Sequence, residues 1–166
     1  MVAEVFVFYL HLMAEVADDP GAVVSKSVEH VLELAATWLA WDGKARIAEG
    51  GDRIYTPHKA IRRTVDHLID HLAEVDDILA GRPSIPDSWH GSMVTVASDW
   101  ASFTEADLNE ARQRLRRLAR LFTSRLAAVG PDGWDQLRSG HWTVREIVEH
   151  VATDWYAKQV GNLSSK

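Results

Sequence analysis

Four segments of this 166-residue chain repeat their apolar residues with the period of a helix, and between them they carry well-placed start and stop signals. That pattern narrows the choice of fold. A helix with one apolar stripe must bury it against another element, and four of this length pack most simply as a four-helix bundle. The first segment is expected from about Ser27 to Trp41, ending at Asp42-Gly43, with Val28, Val31, Leu32, Ala35 and Leu39 on one face. The second is expected from Pro57 to Ala80. Thr56 suits its cap, Pro57 its first position and Gly81 its end, and Ile61, Val65, Leu68, Leu72, Val75 and Leu79 form its stripe. The third is expected from Glu105 to Val129, opened by a Thr104/Asp107 capping box and a Phe103/Leu108 staple, with Leu108, Leu115, Leu118, Phe122 and Val129 inward. The fourth starts at Val144 behind a Thr143/Glu146 box and a Trp142/Ile147 staple, and is expected to reach about Asn162.

Residues 1–26 read differently. Val5, Val7 and Tyr9 alternate as in a strand, Asp18-Asp19-Pro20-Gly21 has turn chemistry, and Ala22-Val23-Val24 suits a short return strand. The expectation is therefore a mainly α fold: one domain over 1–166, with a small N-terminal β hairpin over 1–26 and a helical bundle over 27–162. Two strands alone are marginal, so the hairpin must lean on the first helix or pair its edge with a second copy, which would make a homodimer. The link from Gly81 to Phe103 is long, holds Pro83, Pro86, Gly91, Trp89 and Trp100, and is of the kind that wraps a core or roofs a pocket.

Composition removes several function classes. With no cysteine there is no disulfide framework, Cys zinc site, iron–sulfur cluster or cysteine nucleophile, and any thiol chemistry needs a thiol from outside. A net charge of −6 speaks against nucleic acid or an anionic membrane as partner. The apolar start, Met1 to Val16, is interrupted by Glu4, His11 and Glu15 and lacks a basic leader region, which points to the cytoplasm. P-loop, dinucleotide, G-x-S-x-G and H-E-x-x-H motifs are all missing.

Eight histidines are many for this length. His67 and His71 stand one helical turn apart, the spacing at which two imidazoles chelate one ion. At 100° per residue they fall on the shoulder of the second stripe, with Thr64 and Ile78, while Asp66, Asp70 and Asp77 point away. His150 takes the same shoulder position in the fourth segment, beside Glu146 and Asp154. Three imidazoles from two facing helices would form a site with open positions, the catalytic rather than the structural pattern. Glu146, Asp154 and Glu74 are candidates to orient an imidazole or add a ligand. Histidines on a stripe's shoulder are also commonly hydrogen-bonded to neighbours and no more. His30 has no partner at metal spacing, and His11, His58, His90 and His141 fall at strand, cap or loop positions. Arg112, Arg116 and Arg120 share a face of the third segment, either as solvated partners of acidic residues or as an anion clamp.

Trp142-Thr143-Val144-Arg145-Glu146-Ile147-Val148-Glu149-His150, together with His67-Leu68-Ile69-Asp70-His71-Leu72-Ala73-Glu74, resembles the DinB-like superfamily, whose members are four-helix bundles with a three-His metal site. The resemblance covers about 57–162 and implies His67, His71 and His150 as ligands. In most relatives the single histidine precedes the H-x3-H helix. Here it follows, so the helix order looks circularly permuted, which a bundle with neighbouring termini tolerates. Asp19-Pro20-Gly21-Ala22-Val23 followed by Ser27 is faintly similar to a HicB-like β-β-α module. The DinB-like resemblance implies a divalent ion, zinc or nickel, activating a low-molecular-weight thiol or water for transfer, hydrolysis or isomerisation on a small electrophilic substrate. The alternative is a non-catalytic stress-response or protein-interaction module that keeps the bundle.

Overall fold

The computed structural model describes residues 19–85, 91–139 and 142–164. Its helices are α1 (Pro20–Ala36), α2 (Pro57–Ala80), α3 (Glu105–Val129), α4 (Pro131–Trp134), α5 (Val144–Val151) and α6 (Trp155–Val160). Strands β1 (Arg46–Ile47) and β2 (Ile54–Tyr55) form a small antiparallel sheet in which Arg46 faces Tyr55 and Ile47 faces Ile54. The fold is thus mainly helical with one small sheet. α1 and α2 occupy opposite corners of the bundle. Each packs on α3 to one side and on the α5–α6 pair to the other, and the α1–α3 contact is the most extensive.

Capping residues set the helix starts as expected. Thr56, Thr104 and Thr143 each accept from a backbone N–H one turn on, and Asp107 and Glu146 reach back to complete two capping boxes. Gly81 ends α2 in the left-handed conformation, at φ 65°. The inward stripes of α3 and α5 are buried through Leu108, Leu115, Phe122, Val144, Ile147 and Val148. Leu118 and Val129 pack on that core half-buried. On α2, Leu68 and Val75 are buried, Ile61, Val65 and Leu72 half-buried, and Leu79 exposed.

Three expectations need correction. Ala22-Val23-Val24 is not a return strand, and α1 begins well before Ser27. Asp19 is an N-cap whose carboxylate accepts from Ala22 N–H at 3.0 Å, and Pro20 takes the first helical position. Turn chemistry and cap chemistry use the same residues, and burial of Val23 and Val24 decides for helix over the β preference of valine. The other expected strand, with Val5, Val7 and Tyr9, lies outside the described residues, and so does any edge pairing built on it. At its far end α1 stops at Ala36. Trp38 then turns inward in a 3-10 turn and donates from Nε1 to Gly161 O at 2.8 Å, leaving Leu39 exposed. Lastly, the fourth segment is not continuous. It breaks after Val151, and Asp154 adopts the left-handed conformation (φ 47°, ψ 24°), one of the few side chains that tolerate it.

Residues 91–101 of the long link lie along the first turns of α2 as a polar strap. Lys59 Nζ donates to Thr95 Oγ1 at 2.9 Å, Arg63 Nε to Ser92 Oγ at 3.2 Å, and Arg62 to both carboxylate oxygens of Asp99. Thr56 Oγ1 donates to Asp99 O at 2.6 Å. Burial works to raise the Asp99 carboxyl, yet Arg62 and the Val96 N–H hold it below its ordinary value. Trp100 is exposed, while Trp89 and Pro86 lie outside the described residues.

Where α1 meets α3, the backbone of Gly21 comes so near Thr123 that an added Cβ would sit 2.9 Å from its Cγ2 and 3.2 Å from its Cα. Alanine at position 21 gains roughly 0.5–1 kcal/mol of helix propensity. Overpacking costs about 1–3 kcal/mol, so the clash wins. Gly21→Ala is expected to lower unfolding stability by about 1 kcal/mol net. Urea denaturation checks this, and a Thr123→Ser background, which removes Cγ2, should recover part of the loss.

Candidate metal centre

The bundle brings α2 and α5 side by side, and with them the three histidines marked out by spacing. His67 and His71 lie one turn apart on α2, and His150 closes the last turn of α5 opposite them. The ring centroids are 4.7 Å apart for His67–His71, 4.7 Å for His67–His150 and 5.0 Å for His71–His150. Each ring offers one nitrogen, and the three nitrogens lie within 4.8 Å of one another. Ions of the zinc type bond imidazole nitrogen at roughly 2.0–2.1 Å, so modest side-chain rotation brings all three onto one ion.

Each imidazole has a distinct environment. His67 is the deepest and makes no hydrogen bond to a described residue. Burial, then the neighbouring charges of His71, His150 and Arg63, push its pKa down to about 3. The ring is therefore neutral at physiological pH and keeps a lone pair available. His71 Nδ1 donates to Glu74 Oε2 at 2.9 Å, which fixes the tautomer and leaves Nε2 as the ligating atom. His150 is exposed. Trp142 covers two of the three rings, stacked on His71 at 6.0 Å and edge-on to His150 at 4.9 Å. Tyr156 meets His67 edge-on at 5.5 Å and carries the Arg63 guanidinium over its ring.

The other candidates sort as follows. Glu74 orients His71. Glu146 is engaged in its capping box, accepting from Thr143 N at 2.7 Å and Thr143 Oγ1 at 2.9 Å, and does not bond an imidazole of the cluster. Asp154 pairs with His30 Nδ1 and with Lys158 Nζ. His30 is thus an ion-pair partner away from the cluster. His58 packs edge-on to Phe103 at 5.3 Å. Arg116 forms a bidentate pair with Glu29 across α1 and α3, and Arg112 donates to Asn109, as a solvated paired face requires. His11, His90 and His141 lie outside the described residues.

Beside the histidines a cavity of about 450 Å³ opens between α1, α2 and the α5–α6 pair. His67 and His150 line it from α2 and α5, and Val24, Val28 and Val31 line it from α1. The sequence reading missed Tyr156, Trp155 and Arg53 as parts of this wall. The break at Asp154 resets the helical phase, so residues after it cannot be placed by counting from Val144. Trp142 had a signal, since it opens the motif that ends at His150.

No family profile, curated protein or solved structure matches the chain. Among the described residues, no helix is long and apolar enough to cross a membrane.

The His67 shift has a sign that can be measured. Its folded pKa, about 3, lies below the free value of 6.5, so between these values the unfolded chain binds more protons than the folded one. Metal-free protein is expected to lose stability as the pH falls from about 6.5 towards 3. Denaturation midpoints in chelator at pH 7.5 and about 5 check this. His67→Leu should flatten the difference.

Proposed function

We propose that this chain is a metal-dependent enzyme of the DinB-like type. One observation carries the reading: three imidazoles from two helices converge within 4.8 Å beside a cavity, and the deepest makes no hydrogen bond to a described residue. Imidazole nitrogens aimed at one point suit a soft or borderline divalent cation such as zinc or nickel.

Three protein ligands leave coordination positions open, and an ion held there supplies Lewis acidity that favours the deprotonated form of a thiol or of water. The chain's own residues do the rest. Burial keeps His67 unprotonated. Glu74 holds His71 in the ligating tautomer and raises its basicity. Trp142 and Tyr156 pack against the cluster and hold its rings in place. The cavity offers a mostly apolar wall to a small electrophile. Because the chain has no cysteine, sulfur chemistry here needs a low-molecular-weight thiol as co-substrate. The four-cornered packing supports the circularly permuted order. α5–α6 reaches both α1 and α2, so the His150 helix meets the H-x3-H helix although it follows it in sequence. The cavity adjoining the cluster favours an enzyme over an interaction module, which needs no cavity next to its histidines. A cytoplasmic site of action fits the same reading.

Protein purified without added metal is expected to carry about one equivalent of a divalent transition metal by elemental analysis. His67→Ala, His71→Ala and His150→Ala should each lose most of it while keeping the helical far-UV spectrum. His30→Ala should keep it. Full occupancy in His150→Ala would remove the basis for this function.

A further inference from the structure

The cavity has a chemistry of its own at the end away from the histidines. Its floor is hydrocarbon, from Val24, Val28 and Val31 of α1 with Leu68 of α2. Three polar side chains in its lining already have partners. Thr64 Oγ1 donates to Ala60 O at 2.8 Å, Thr153 Oγ1 to His150 O at 3.1 Å, and Asp154 is held by His30 and Lys158. Arg53 stands apart by its charge. It is the one Lys or Arg in the lining, and among the described residues only its Nε makes a hydrogen bond, to Asp52 at 3.1 Å.

Arg53 is also held in place. Its carbonyl accepts from Ala48 N–H at 2.8 Å, which fixes the backbone at the start of β2. Its guanidinium lies over the Trp155 ring at 5.2 Å. From there an aromatic row runs back to the metal centre: Trp155 to Tyr156 at 5.4 Å, then Tyr156 to His67 at 5.5 Å. One wall thus joins a fixed cation to the histidine cluster, with the valine floor facing the space between.

Resting on the function proposed above, we propose that this cavity is the substrate pocket and that Arg53 selects a small, mostly apolar carboxylic acid. The carboxylate pairs with the guanidinium, the hydrocarbon part lies on the valines, and the reacting end points at the three histidines. The volume is within the range of small-molecule sites, roughly 300–1,000 Å³. A single guanidinium with an aspartate already beside it suits one negative charge. A phosphate dianion would call for more donors than this lining offers.

Hexanoate and hexanamide serve as probes, differing only in the head group. Their dissociation constants are measured by NMR titration on the protein as isolated and after dialysis against chelator, with the valine methyls of the floor as reporters. A hydrogen bond to a charged group contributes about 1.5–3 kcal/mol, so hexanoate is expected to bind about tenfold more tightly or better in both forms. The Val24, Val28 and Val31 methyls should shift. Arg53→Gln should bring hexanoate down to the level of hexanamide and leave hexanamide unchanged. Equal affinities in the unaltered protein, unmoved valine methyls, or a preference that survives Arg53→Gln would overturn the inference. A preference seen only in the metal-loaded form and indifferent to Arg53→Gln would place the carboxylate on the metal, sinking the role of Arg53 while sparing the metal centre. A protein that takes up no metal yet shows the Arg53-dependent preference would lose the metal reading and keep the acid pocket.

Discussion

Helix α2 buries charge, and the site depends on how that charge is satisfied. Lys59 and Arg63 are almost fully enclosed, at 1% and 5% exposure. An enclosed cation without acceptors would cost several kcal/mol, on the order of the whole stability of a domain. The strap from residue 91 to 101 provides the answer, with Ser92, Thr95 and Asp99 each meeting one of these side chains or Arg62. Burial still pulls the Lys59 ammonium below its ordinary value, against the attraction of Asp99. Pinned in this way over its first two turns, α2 presents His67 one turn beyond Arg63 at a fixed height and angle.

Two consequences meet at His67. Desolvation makes the ring a poor base and so a standing lone-pair donor at neutral pH. The same enclosure links the ring, through Tyr156, to the aromatic row that ends under Arg53. One aromatic wall thus runs from the ring whose proton affinity burial lowers to the Arg53 guanidinium.

Much of this was legible in the sequence, for definable reasons. The bounds of α2 and α3 follow from Thr, Pro and Gly at positions where orphan backbone groups demand them, and those demands are local. The convergence of His67, His71 and His150 was legible because helical phase puts all three on stripe shoulders, and shoulders of neighbouring helices meet. What failed depended on contacts made far along the chain. Asp19-Pro20-Gly21 fits a turn or a cap equally well, and burial of Val23 and Val24 in the core decides between them. The break at Asp154 answers to His30, 124 residues away, and nothing in the local apolar period announces it. Arg53 could not be recognised at all. Its role rests on Trp155, whose orientation is set by that same break.

The three imidazoles come from very different stretches of chain. His67 and His71 belong to one helix, whereas 79 residues separate His71 from His150. Bringing such distant groups together costs loop-closure entropy that a helix by itself never repays. During synthesis, α2 can form with its two histidines exposed and only a two-point hold on any ion. The three-point cluster exists only once α5 has docked. The cluster therefore registers tertiary structure: a ligand that needs all three nitrogens distinguishes a chain in which α5 has docked on α2 from one in which it has not.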